Sequence, residues 1–134
     1  MPIFRLQVLT PERTVISTEV EYVELPGTEG TFGILRGHAP LMAPVGIGVL
    51  EFGPLQGARR KMALGGGFID VRDDQLTVLA KTAELAGEID ALRAREAKER
   101  AERRLAERRD ELDFNRARLA LQKALLRLKI AETE

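Results

Sequence analysis

Arg93 and Arg100 stand seven residues apart, and Lys123 and Arg127 four apart, in a stretch of this 134-residue chain that has neither glycine nor proline. On helices the first two share one stripe and the second two share another. Two such helices folded together would gather four cations, and guanidinium forks fit phosphate oxygens in bidentate geometry, so the grouping suits a polyphosphate. Asp90 and Glu84 could accept hydrogen bonds from an adenine amino group. The same spacing fits a solvated, salt-bridged helix face, since every long charged helix offers similar groupings.

Other residues able to do chemistry are few. The chain has no cysteine and His38 is its one histidine. That argues against disulfides, a thiolate or zinc site, and a nucleophile–base pair, so an independent enzyme is not expected and no metal is required. Asp70, Asp73 and Asp74 lack the liganding pattern of a calcium loop and read as a hairpin turn with solvated acids. No Lys-Ser/Thr and no helix follows Gly65-Gly66-Gly67, which reads as a turn or bulge between strands and not as a phosphate loop. His38 reads as a packed or hydrogen-bonded loop histidine.

The elements that must position these residues differ along the chain. Eleven of twelve glycines and all six prolines precede Gly87, and from Glu88 onward 24 of 47 residues are charged. Two parts are expected, a β domain over 1–86 and a helical hairpin over 87–134. In the first, Phe4, Leu6 and Val8 alternate with polar neighbours, and Thr14 to Leu25 is a longer run whose apolar phase shifts after Tyr22, which predicts a bulge. Short strands follow over Ile47–Phe52, Ala58–Leu64, Phe68–Val71 and Leu76–Ala80, separated by turn signals. The pattern predicts a two-sheet sandwich or flattened barrel.

In the second part a first helix is expected from Glu88 to about Glu107, with Ala94, Ala97, Ala101 and Leu105 as its seam. A second is expected from about Phe114 to Glu132, with Asp110 or Asp113 as its cap. Its seam, Ala117, Leu121, Ala124, Leu128 and Ala131, has coiled-coil spacing, and the short connection folds the helices antiparallel. Leu119, Leu126 and Ile130 form another stripe nearly opposite. That stripe either docks on the sandwich or meets another protein.

Formal charge is zero, with 21 basic against 21 acidic residues, which disfavours a nucleic-acid partner. No run approaches the roughly 18 apolar residues of a membrane span. Met1-Pro2-Ile3-Phe4 enters strand pattern at once, which predicts no signal or transit peptide and a soluble protein of the reducing bacterial cytoplasm.

The loop Gly27-Thr28-Glu29-Gly30-Thr31-Phe32-Gly33-Ile34-Leu35-Arg36-Gly37-His38-Ala39-Pro40-Leu41 resembles the signature of the epsilon subunit of bacterial and chloroplast F-type ATP synthases. The resemblance covers the whole chain. It implies a non-catalytic regulatory subunit of the rotating central stalk. Its sandwich would bind the gamma subunit and the membrane c-ring, with Thr31, Gly37, His38, Ala39 and Pro40 in the contact loop. Its hairpin would switch between a folded form and an extended form that inhibits ATP hydrolysis by the alpha/beta catalytic head. The location implied is the cytoplasmic side of the bacterial inner membrane, peripheral through the complex. Some members bind ATP as a regulatory ligand on the folded hairpin. Their motif matches here at Ile89, Asp90, Arg93 and Ala94, with Glu84, Arg100 and Arg127 also matching. Lys123 departs from an arginine, keeping the charge and losing the fork. Thr31 stands where some relatives carry an acid, and Arg36 replaces a frequent proline. A free-standing ATP-sensing module is the alternative, and the 37–41 loop argues against it because a sensor has no need of one. A nucleic-acid-binding helical arm is disfavoured by the hairpin's balance of 13 basic to 11 acidic residues.

Overall fold

The structure, a computed structural model, describes residues 2–107 and 111–133. The chain divides into two compact units, Met1–Leu85 and Ala86–Glu134. The first holds eight strands: β1 (Phe4–Leu9), β2 (Thr14–Val20), β3 (Tyr22–Pro26), β4 (Thr31–Ile34), β5 (Leu41–Gly53), β6 (Arg60–Arg72), β7 (Gln75–Ala80) and β8 (Ala83–Leu85). The second holds a 3-10 turn (Ala86–Glu88) and helices α1 (Ala91–Glu107) and α2 (Glu111–Thr133).

The strands hydrogen-bond in the order β2-β1-β7-β6-β5-β3-β4, with β8 also on β6. Two long strands make this path into a sandwich. The C-terminal part of β6, Gly67–Arg72, pairs with β7, whereas Met62–Leu64 pairs with β8. Strand β5 follows β6 in register along almost its whole length, from Leu41↔Val71 to Phe52↔Arg60. One layer is thus β2-β1-β7 with one end of β6 and β5, and the other is β8 and β3-β4 with the opposite ends. Inward side chains from both layers meet in one core. Leu6, Leu25, Leu50, Met62, Leu64, Ile69 and Leu76 are all fully buried. Each such side chain contributes about 1.5–3 kcal/mol relative to exposure.

The inward-facing set changes parity along both long strands. In β6 it is Met62 and Leu64 before the glycines and Ile69 and Val71 after them. In β5 it is Val45 before Gly46–Gly48 and Leu50 and Phe52 after. Gly66 (φ 94°) and Gly67 (φ 152°) carry the switch in backbone conformations that L side chains rarely adopt. The triple glycine is therefore neither a turn between strands nor a place where pairing stops. It lies inside one continuous strand: Gly65 N–H donates to the Thr82 carbonyl at 2.8 Å, and Lys81 N–H donates to the Gly66 carbonyl at 2.9 Å.

Other expectations are corrected as well. The phase shift after Tyr22 is no bulge. The chain leaves β2, which pairs with β1, and enters β3, which pairs with β4 and β5, so it crosses between layers at Glu21. Glu21 N–H is taken up by the Gly53 carbonyl at 3.0 Å. Strand β4 was not expected, because its four residues include Gly33 and lie on a sheet edge. Strand β5 begins six residues earlier than the Ile47 start that the sequence predicts. The Asp73-Asp74 hairpin turn is present, with both residues at positive φ (49° and 56°), the conformation of a two-residue type I′ connection.

The close pass at the glycines sets a graded expectation. A Cβ at Gly67 would strike the Leu79 carbonyl oxygen and lie 2.9 Å from Ala80 Cα, all backbone. A Cβ at Gly65 would strike the Thr82 hydroxyl, the tip of an exposed side chain. Gly67→Ala should cost at least about 2 kcal/mol, from overpacking and positive-φ strain together. Gly65→Ala should cost less. Urea unfolding of both variants checks the order; equal costs would mean that β6 moves as freely at Gly67 as at Gly65.

Candidate functional site

Helix α1 starts on Asp90. Its Oδ1 accepts the Arg93 N–H at 3.1 Å, its carbonyl accepts the Ala94 N–H at 3.0 Å, and its Oδ2 lies 3.6 Å from Arg93 Nε. Asp90 is thus the N-cap and at the same time the ion-pair partner of Arg93. The expected helix start at Glu88 is corrected: Glu88 closes the 3-10 turn, and Ile89 N–H donates to the Ala86 carbonyl at 3.2 Å. Helix α2 starts at Glu111, so Asp113 lies within its first turn and is not its cap; Asp110 falls outside the described residues.

The two helices pack along small residues. Ala94 and Ala101 of α1, and Ala117 and Ala124 of α2, are each buried to 3% exposure or less. Ala97, Leu105, Leu121, Leu128 and Ala131 are half-buried beside them. Ala94 therefore serves the seam, where its size lets the helices approach. Of the second stripe on α2, Leu119 is exposed, Leu126 half-buried and Ile130 buried, so it is not one open face.

The seam fixes where the cations go. Arg93, Arg100 and Lys123 each immediately precede a seam alanine, and Arg127 follows Ala124 by three. At about 100° per residue all four lie to the same rotational side of their own contact line. In an antiparallel pair, positions displaced in the same rotational sense fall on the same side of the hairpin. Near the connection Arg104 and Glu107 share a cavity of about 350 Å³ with Asp113, Arg116 and Ala117, which anchors the register of the helices. Counting back from it puts Arg93 level with Arg127 and Arg100 within about a turn of Lys123. The four basic residues predicted to act together thus share one side of the hairpin. Arg93 is largely exposed (86% for its side chain), Arg100 is exposed, and Lys123 and Arg127 are half-buried. Glu84 belongs to the first unit, in β8, where it stands opposite Ala63.

The predicted contact loop is two pieces. Gly37, His38, Ala39 and Pro40 lie in the exposed connection between β4 and β5. Thr31 pairs with Pro26 at the opposite end of β4. It is separated from Ile34 by about 10 Å of strand, so the structure does not bring it into that connection. His38 is tied to its own loop: its N–H donates to the Leu35 carbonyl at 3.3 Å, and its Nδ1 lies 2.6 Å from the Ala39 carbonyl oxygen. Gly37 N–H donates to Asp74 Oδ1 at 2.7 Å, and Arg36 Nε lies 3.6 Å from Asp74 Oδ2. An open cavity of about 420 Å³ runs beside this loop from Pro40–Met42 to Asp70–Asp73. There Arg72 forms a two-point contact with Asp70, at 2.6 and 3.2 Å, which raises the affinity of the guanidinium for its proton.

Sequence reasoning missed an apolar row on the outer face of the sandwich. Pro44 pairs with Phe68, Phe68 with Leu79, and Leu79 with Leu9, across strands β5, β6, β7 and β1. Phe68 is 61% and Leu79 54% exposed, and Met42, one step along β5, is 76% exposed. The signal was available. Phe68-Ile69 and Val78-Leu79 are adjacent apolar pairs in strands, and one member of each pair must face outward.

Comparison with known proteins accords with these two units. A family model described as ATP synthase, Delta/Epsilon chain, beta-sandwich domain, matches residues 3–86, and one described as the long alpha-helix domain of the same chain matches 88–132. The ATP synthase epsilon chain of Syntrophomonas wolfei is 47% identical over 129 residues, covering 96% of this chain and 94% of its own. That of Syntrophobacter fumaroxidans is 49% identical over 128 residues, covering 96% and 95%. In fold, the chain resembles one in the Euglena gracilis mitochondrial ATP synthase with a TM-score of 0.80 at 21% identity, covering all of this chain and 83% of that one. It also resembles one in the Tetrahymena thermophila mitochondrial ATP synthase, with a TM-score of 0.59 at 11% identity and 95% of each chain covered.

Proposed function

The chain belongs to the ATP synthase delta/epsilon family, and from that premise we propose that it is a regulatory, non-catalytic rotor subunit. Its sandwich holds the gamma subunit and the c-ring, and its hairpin restrains ATP hydrolysis when it opens toward the catalytic head. In this role it is peripheral to the cytoplasmic face of the bacterial inner membrane. The observation that carries the reading is the Pro44–Phe68–Leu79–Leu9 row. Four strands spaced about 4.8 Å apart make it roughly 14 Å long, a firm outer platform on strands whose inward residues form the core. A rotor subunit has to hold its shaft under torque, and rigid strands provide that better than loops do. Gamma is assigned to this row, and the c-ring to the Gly37–Pro40 connection.

The hairpin's basic side supports ATP as a regulatory ligand. Arg93, Arg100, Lys123 and Arg127 receive the phosphates, and binding favours the folded hairpin because only that form gathers cations from both helices. Asp90 has two tasks in this reading, capping α1 and aiming the Arg93 guanidinium. Lys123 serves as a point charge where a guanidinium would make a fork.

Three measurements test the reading. Phe68→Glu sets a charge on an already exposed position, so its unfolding midpoint should stay near that of the unmodified chain. Its affinity for gamma should fall at least about tenfold, by the apolar area lost and the charge desolvated. Unchanged binding would remove the row from the interface. For ATP, Arg93→Ala should weaken calorimetric affinity by about 1.5–3 kcal/mol, the range of a charged hydrogen bond, while Lys123→Arg holds or improves it. Absence of any nucleotide-induced shift in the hairpin amides at millimolar ATP would end the ligand assignment. For inhibition, a disulfide between Ala97→Cys and Ala124→Cys should yield a protein that assembles normally and no longer suppresses hydrolysis. Equal inhibition by locked and reduced forms would show that the hairpin is not the switch.

A further inference from the structure

We propose that Asp74, in the turn between β6 and β7, is the positioning residue that fixes the docking conformation of the Leu35–Pro40 loop. The proposal rests on the reading of that loop as a docking surface.

The loop has no apolar anchor of its own, because every residue from Leu35 to Pro40 is exposed. A segment without buried side chains takes one shape only if its backbone is held from elsewhere. The short-range ties, His38 N–H to Leu35 and His38 Nδ1 with Ala39, shape the loop but fasten it to nothing. Asp74 does fasten it. Its Oδ1 accepts the Gly37 N–H at 2.7 Å, at the residue where the loop turns through φ 83°. A carboxylate accepting a backbone N–H at this distance is a charge-assisted bond, stronger than a neutral one.

Asp74 is itself a fixed post. The turn it occupies closes directly on the Arg72↔Gln75 pair of the β6–β7 ladder. Its carbonyl accepts the Arg5 N–H at 3.0 Å, at the start of the parallel β1–β7 pairing. Three strands therefore determine where the carboxylate points, and the carboxylate determines where Gly37 sits. The Arg36 guanidinium, 3.6 Å from Oδ2, is a secondary contact between side chains that are 55% and 42% exposed. Surface pairs of this kind are weak, so the Gly37 bond is the main tie.

The test uses the full chain and the ATP synthase complex depleted of this subunit. Asp74→Gly suits the turn, whose φ of 56° favours glycine, and removes the carboxylate. Amide exchange at Gly37 should accelerate at least about tenfold while exchange at core Leu64 is unchanged, the signature of local opening. Affinity for the depleted complex should fall by a similar factor. Asp74→Asn keeps an acceptor for the Gly37 N–H and should retain slow exchange and most of the affinity, whereas Arg36→Ala should change both by less than Asp74→Gly does. Gly37 exchange unchanged in Asp74→Gly overturns the proposal whatever happens to affinity, as does faster exchange with affinity intact. Should replacement of His38, Ala39 and Pro40 by glycines also leave affinity intact, the docking reading of the loop itself has failed.

Discussion

The sandwich depends on one close backbone approach. Strand β6 serves both layers only because its centre passes within contact distance of the Leu79–Thr82 backbone, at positions where no side chain intervenes. Had β6 ended there, each layer would own a shorter strand and the layers would be joined by loops. Instead β5 and β6 run through both layers as thirteen-residue strands in unbroken mutual register. The outward row at Phe68 and the inward residues Ile69 and Val71 take their facing from the parity switch at those glycines. The apolar platform is thus a consequence of the same constraint that closes the core.

The helical unit is built to a different standard. Its seam buries alanines, and each methyl removed from water contributes about 0.8 kcal/mol, where a buried leucine of the sandwich contributes about 1.5–3. Among its described residues Ile130 is the one larger side chain buried to the same degree. The first unit is packed with larger side chains. Its core contains Leu6, Val8, Val23, Leu50, Leu76 and Val78 at zero exposure, and no buried polar residue is found among the described residues.

Much of this was legible in the sequence because it is local. Period-two alternation marked β1, the loss of glycine and proline marked the passage to helices, and alanine spacing marked the seam. The spacing of Arg93 and Arg100, and of Lys123 and Arg127, was legible as two helical stripes. What was not legible depends on partners distant in the chain. Gly65–Gly67 reads locally as a stop, and only the Leu79–Thr82 backbone beside it shows why a strand would carry glycine there. The layer crossing at Glu21 looks like a slip of phase until β2 and β3 are seen to have different partners. Asp74 was read as a solvated turn acid, because its acceptor role is decided by Gly37, thirty-seven residues away. The edge strand between Thr31 and the 37–40 connection gave no strand signal, because it is four residues long and glycine-bearing.

On the function proposed here, the contrast between the units bears on how one chain would hold a shaft and also respond to a ligand. A ligand shifts a two-state equilibrium only by its differential affinity for the two states, and roughly 5.5 kcal/mol is needed to invert a hundredfold preference. A unit with the sandwich's core lies beyond such leverage, which suits a surface that must stay bound. A hairpin whose seam buries mainly alanines has less core to overcome. On the reading proposed for this chain, a polyphosphate would draw on Arg93, Arg100, Lys123 and Arg127 from both helices, and only the folded pair presents them together. Preference for the folded form and affinity for the ligand would then have one origin. Removing one of these cations would then reduce the proposed response to nucleotide while leaving the alanine seam as it is.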